Sequence, residues 1–279
     1  MSISQVVVWV EVLSFAGWVF ESSYCAIVRG AWERRGFLYG PICPIYGISA
    51  TLALLLFDNP AVTSGAITPW MVFLICMAGS AVIEYVTSYT LEKSFGAVWW
   101  DYSNMPLNIN GRVCLPASML FGGMGLAVTY LLLPLVRIVN ATVPSVAFEA
   151  AALVLVGVTA SDVTLTVSSL SDLLKKVQAY DASVNAAMSR AYSTATSTIR
   201  ETPERIRESG TDMFDRASET VSEKQETLRA FIGGLTQHQR LMLRHTKRLD
   251  FKRLMVTPTL LHRAITEARL FDRRNKRRD

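Results

Sequence analysis

The chain has 279 residues, 51% of them hydrophobic, and a formal net charge of +5. Residues 1–170 hold six Lys or Arg against nine Asp or Glu, and residues 171–279 hold 22 against 14. Long runs with few charges exclude an ordinary soluble domain for the first part, since a bilayer core of about 30 Å calls for roughly 20 apolar residues per crossing; the second part has no such runs.

Met1 to Gln5 lack the positive n-region of a cleavable signal, and the apolar run after them is long enough to span. The first span is therefore expected to be retained. Five spans are predicted, at about Gln5–Val28, Gly40–Phe57, Pro69–Leu91, Cys114–Val136 and Val146–Leu170. The second cannot begin as an unbroken helix, because Pro41 and Pro44 remove donors and restrict the residues before them.

Arg29, Arg34 and Arg35 follow the first span, and the loop 58–68 has no Lys or Arg. The positive-inside rule then puts the N-terminus outside the cell and the C-terminal region in the cytoplasm, with Arg137 as a dissenter on an external loop. Cys25, Cys43, Cys76 and Cys114 lie in or beside spans without a C-x-x-C pair and read as reduced thiols.

Polar residues fall in stripes. Glu11, Ser14, Trp18, Glu21 and Cys25 recur at spacings of three and four, so they share one helix face that must look into the bundle. Glu84, Ser88 and Glu92 stack in the third span, and Thr159, Asp162, Thr166 and Ser169 in the fifth. The small residues 78–81 in the third span, with Gly122, Gly123 and Gly125 in the fourth, suit close backbone packing.

Beyond Leu170, the positions Leu173, Val177, Tyr180, Val184, Ala187 and Ala191 alternate by four and three, a weak Ala-rich heptad seam. Thr202-Pro203 reads as the start of a new helix, so residues 171–237 are expected to form a helical hairpin or coiled coil. From His238 to Asp279 there are 13 Lys or Arg against four Asp or Glu, interleaved with Leu and Phe. Such a basic amphipathic tail is expected to meet anionic lipid headgroups. Nucleic acid is the less favoured partner, because no nucleic-acid-binding motif is present.

The stretch from Glu84 to Pro116 joins two apolar spans yet carries most of the ionisable groups of that half of the chain. Trp99, Trp100 and Tyr102 suit an interfacial loop at headgroup level, but polar groups this deep mark a site. With Glu21 and Asp162 they form one candidate polar site: Glu21, Tyr39, Cys43, Tyr46, Glu84, Ser88, Glu92, Trp100, Asp101, Asn110, Arg112, Cys114 and Asp162. Five acids there (Glu21, Glu84, Glu92, Asp101, Asp162) face two bases, Lys93 and Arg112. Unpaired carboxylates in low dielectric hold a cation or take up protons, so a cation- or proton-linked site competes with a structural network around Arg112. In that network Glu84 or Asp101 is the expected partner of the guanidinium.

The words Phe37-x-Tyr39-Gly40-Pro41-Ile42-Cys43-Pro44-x-Tyr46-Gly47, Glu84-Tyr85-x-Thr87-Ser88-Tyr89-x-Leu91-Glu92, Trp99-Trp100-Asp101-Tyr102-Ser103 and Asn110-Gly111-Arg112-x-Cys114-Leu115 resemble the type IV ABC-transporter permease family of bacterial membrane proteins. The resemblance covers about residues 8–170 and implies a permease-like component in the bacterial cell membrane. The sequence has no G-x-x-x-x-G-K-[ST] phosphate loop, so a separate ATPase chain is expected to power it. Five spans are few for a whole pathway, which suggests a homo-oligomer or heteromer.

Two rival readings belong to other classes. One is a membrane enzyme acting on a lipid headgroup or lipid-linked substrate, with Cys43 or Cys114 as nucleophile, Glu84 or Asp101 as base and Arg112 as anion clamp. All three histidines lie in the tail and no metal-ligand spacing is present, which points away from an enzyme; no catalytic residue and no cofactor is expected. The other is a scaffold that recruits a partner through its C-terminal helices. The sequence thus predicts an all-α, polytopic membrane helix bundle of about five spans with a cytoplasmic helical extension, divided at 1–170, 171–237 and 238–279.

Overall fold

Pro44, Pro60 and Pro69 each stand at the first position of a helix, where a missing N–H costs nothing. The computed structural model describes residues 1–29, 36–200, 230–245 and 248–249. It is almost entirely helical. In chain order the helices are α1 (Ile3–Arg29), α2 (Pro44–Phe57), α3 (Pro60–Thr63), α4 (Pro69–Phe95), α5 (Leu115–Ala127), α6 (Leu133–Thr142), α7 (Ser145–Arg200) and α8 (Gln237–His245). Between α4 and α5 lie the two-residue strands β1 (Ala97–Val98), β2 (Asn108–Ile109) and β3 (Val113–Cys114).

Among the described residues, four helical stretches are long and apolar enough to cross a membrane: Ile3–Ile27, Pro69–Phe95, Leu115–Thr142 and Ser145–Tyr180. The third is continuous because a π-helical turn, Val128–Leu132, joins α5 to α6 just ahead of Pro134. Proline cannot donate to the preceding turn, and a widened turn relieves its clash with the carbonyl four residues back. Thr129 Oγ1 donates to Gly125 O at 2.8 Å in the same region.

The expected second span takes another form. Helix α2 has 14 residues, about 21 Å at the usual rise, and is short of a bilayer core. It begins level with the middle of α1: Cys43 N–H donates to Ser14 O at 3.0 Å, Gly17 meets the Tyr46 ring, and Gly47 abuts Ser14 and the Val10 carbonyl. It ends in a cluster of Trp9, Leu54, Leu133 and Val136. Gly36–Cys43, ahead of α2, has no regular structure.

Close packing recurs between α4 and α5. A Cβ at Gly122 would sit 2.8 Å from the Phe73 ring, and one at Gly125 would collide with Cys76; Gly79 and Gly123 face open space. Arg137, the dissenter from the charge rule, pairs with Asp58 at 2.7 Å just beyond α2, so its charge is offset locally. All four cysteines are free thiols.

The chain divides into two compact units, Met1–Ser168 with His245–Arg248, and Ser169–Arg244 with Leu249–Asp279. In the second unit Leu173, Val177 and Tyr180, the first positions of the predicted seam, are buried, as are Ile232, Leu235 and Met242. The Tyr180 and Phe231 rings stand 4.9 Å apart. Thr236 and Gln239 form a capping box at the start of α8, each side chain holding the other's backbone N–H. Gln239 also donates to Ser169 O and Asp172 Oδ2 of α7. The predicted helix break at Pro203 and most of the basic tail lie outside the described residues, as do Arg34 and Arg35.

Candidate functional site

The polar residues of the Glu84–Pro116 stretch are organised by a β-hairpin. Asn108 pairs with Cys114 and Ile109 with Val113, and the connection is the three residues Asn110 (φ +53°), Gly111 (φ +68°) and Arg112, the first two being the central residues of the Ile109–Arg112 turn. Positive φ at both central residues is the type I′ turn that matches strand twist, for which Asn-Gly is the favoured pair. Arg112 N–H closes it on Ile109 O at 3.0 Å. The turn is tied outward through Asn110 Nδ2, which donates to the Tyr85 hydroxyl at 3.0 Å. Asn108 holds the chain before it, donating to Ser103 O and Met105 O and accepting from Gly111 N–H.

The hairpin delivers Arg112 to the last turns of α4. Its Nη2 lies 2.5 Å from Glu92 Oε2, its Nη1 donates to Ser88 Oγ at 3.4 Å, and its guanidinium carbon is 5.6 and 5.4 Å from the Tyr85 and Tyr89 ring centres. Arg112 and Glu92 side chains are 16% and 14% exposed. The expected pairing with Glu84 or Asp101 is thereby corrected: the register of the hairpin brings Arg112 level with Ser88 and Glu92, about two turns beyond Glu84. Trp100 Nε1 donates to Arg112 O at 2.9 Å. Asp101, which is exposed, accepts from Ser103 N–H at 3.0 Å and Ser103 Oγ at 2.5 Å.

Glu84 takes a different partner. Tyr102 O–H donates to its Oε1 at 3.0 Å, while Oε2 is buried without a hydrogen bond. Burial first, then the Glu84 carboxylate, push the Tyr102 hydroxyl well above the usual tyrosine range, so it remains a donor. Glu84 and Glu21 both lie within electrostatic range of the Tyr46 hydroxyl, as do Cys25 and Cys43. Cys43 Sγ donates to Glu21 Oε2 at 3.7 Å. Cys114 is buried between β3 and α5.

Asp162 answers the donors of the irregular segment ahead of α2. Its carboxylate accepts Tyr39 N–H at 2.8 Å and Gly40 N–H at 2.7 Å, and Thr166 Oγ1 accepts from Tyr39 N–H at 3.2 Å. Non-helical backbone at membrane depth persists only when its polar groups are met inside the protein, and Asp162, Thr166 and Ser14 meet them here. Phe37 pins the segment to the end of α4 and to Trp99, with ring centres 5.9 Å from Phe95 and 5.2 Å from Trp99. Gly40 is required there, since a Cβ would fall 2.7 Å from Asp162 Oδ2.

A family model described as "Putative ABC-transporter type IV" matches residues 8–167, more than half of the chain. The chain belongs to that family. The search among curated proteins and the search among solved structures gave no match. The family match takes in the interrupted second crossing, the hairpin and every candidate site residue. The type IV ABC-transporter chain is thus a multi-pass membrane protein. Of its thirteen candidate residues, Cys43 bonds Glu21 while Tyr46 lies within electrostatic range of Glu21, Cys43 and Glu84; Ser88, Glu92, Trp100, Asn110 and Arg112 form a network at the end of α4, Tyr39 and Asp162 brace the segment ahead of α2, Asp101 binds Ser103 and Cys114 is buried. Tyr102, Tyr85, Tyr89 and Thr166, outside the thirteen, serve these groups directly. The Asn-Gly pair between Asn108 and Cys114 was the sequence signal for the hairpin that places them. No group of three or more His, Cys, Asp or Glu suited to a metal ion occurs among the described residues.

Proposed function

We propose that the chain is the membrane component of a transporter driven by an ATPase on a separate chain, and that the region around Tyr46 lies on its pathway. The observation that carries this reading is the interrupted second crossing. Helix α2 starts level with the middle of α1, and its first turn carries Tyr46, within electrostatic range of Glu21 and Glu84. Discontinuous helices of this kind supply substrate and ion sites in membrane transporters, because they bring helix ends and free backbone groups to the midplane. The family supplies the transporter class.

In this reading the N-terminus is outside, residues 171–279 are cytoplasmic, and the basic tail lies on anionic headgroups. A second copy or a further membrane chain completes the pathway. No observation among the described residues favours the enzyme. Cys43 is a buried donor to Glu21, and Arg112 is closed off by Glu92, Ser88 and two tyrosine rings.

The test is to cross-link and purify the tagged full-length chain from its native membrane. A nucleotide-hydrolysing chain held at fixed stoichiometry, whose ATP turnover falls in a Tyr46→Ala complex that still assembles, supports the proposal. Recovery of the chain without any ATPase after in-membrane cross-linking refutes it.

A further inference from the structure

Glu84 is 5% exposed, and no other acidic side chain among the described residues is as buried. Its two oxygens are unequally served: Oε1 accepts the Tyr102 hydroxyl and Oε2 has no partner. Of the cations at this end of α4, Arg112 is engaged by Glu92 and Ser88 and Lys93 lies over the Tyr89 ring at 5.7 Å. The titratable groups within electrostatic range of Glu84 are Tyr46 from α2 and Tyr102 ahead of the hairpin, with Cys114 of β3 in range of Tyr102. Beyond Tyr46 come Glu21 and Cys25 from α1 and Cys43 ahead of α2. None of these carries positive charge, and one is a second carboxylate.

An ionised carboxylate with an unmet oxygen in such surroundings is far more costly than a neutral acid with one unmet hydroxyl. A metal ion is the poorer occupant, since it needs a shell of several oxygens, whereas a proton needs only the one free oxygen. We propose that Glu84 is a proton-binding site. Its Oε2 holds a proton in the conformation seen here, Tyr102 donates to Oε1, and the proton leaves when water reaches Oε2. No transport step is assumed, so the proposal stands or falls apart from the reading given above.

The experiment is infrared spectroscopy of the full-length chain in lipid nanodiscs at neutral pH, with sodium and choline chloride compared. A protonated-carboxyl C=O band is expected in the wild type, absent from Glu84→Gln and retained in Glu21→Gln. Should Glu84→Gln fail to fold, Tyr102→Phe provides the check: it frees Oε1 and moves the band to higher frequency without removing it. The proposal is overturned by a band that survives in Glu84→Gln, that disappears in Glu21→Gln, or that sodium abolishes while choline does not. A wild-type protein without the band overturns it as well.

Discussion

Substitution of Arg112 by Ala removes a 2.5 Å ion pair with Glu92, a hydrogen bond to Ser88 and the faces of Tyr85 and Tyr89 in one step. Glu92, 14% exposed, then loses its cationic partner. Breaking a buried pair from one side typically costs about 3–5 kcal/mol, and each ring contact adds about 0.5–2 kcal/mol. Partial exposure of both side chains brings the expected total down to about 3–4 kcal/mol. At about 2–4 °C per kcal/mol for a domain of this size, Arg112→Ala should lower the melting temperature of the detergent-purified protein by about 6–16 °C. Arg112→Lys should fall between, because it keeps the charge and loses the planar fork. The deciding measurement is a cycle with Glu92→Ala read by fluorescence-detected size exclusion after heating. The double variant should cost less than the sum of the two single ones by about 1–3 kcal/mol. Arg137→Ala is the control: its pair with Asp58 is 42% and 34% exposed and should contribute about 0–1 kcal/mol. Additivity of Arg112→Ala with Glu92→Ala, together with coupling to Glu84→Ala, would show that the guanidinium belongs to Glu84 and refute the assignment.

Asp162→Ala leaves the Tyr39 and Gly40 N–H groups without their carboxylate; at about 1.5–3 kcal/mol per charged hydrogen bond it should sharply reduce the yield of monodisperse protein, with Asp162→Asn, which keeps one acceptor, recovering part of it. Wild-type yield from Asp162→Ala would mean that the segment ahead of α2 is held by something else. For orientation, a cysteine at Ser64 in a background lacking the four native thiols should react with an impermeant reagent in sealed cells, and one at Ser209 should not; the reverse result would place both termini on the other sides of the membrane.

Residue periodicity made the buried faces legible before any coordinates. In the α1 stripe Ser14 and Cys25 are buried, and Glu11 accepts from Thr159 at 2.9 Å, joining two stripes that the spacing had identified separately. In α4 the positions Glu84 and Ser88 are buried as their i, i+4 spacing requires. Partner choice within a stripe was not legible. Glu84 and Glu92 lie on the same face, and which of them meets Arg112 depends on how far the chain from 96 to 114 returns along α4. That distance is set by two residues with positive φ at Asn110 and Gly111. Gly111, at φ +68° in that turn, thus fixes the position of the arginine that follows it. The second crossing was legible in part: Pro41 and Pro44 announced a broken start, but the remote acceptors Asp162 and Thr166, more than 120 residues away, appear only when α7 is in place.

The excess of acids over bases in this region also resolves differently from a simple count. Glu92 is offset by Arg112, Asp162 is occupied by two backbone N–H groups, and Asp101 binds Ser103 in an exposed turn. Glu21 and Glu84 differ from them because both look toward the Tyr46 hydroxyl, and their described hydrogen-bond donors there are a thiol and a phenol, not a cation. Of the two, Glu84 is the more buried and keeps one oxygen without a hydrogen bond; an ionised carboxylate left unmet in such a place is costly, which is why Glu84 is the residue at which proton occupancy is to be read.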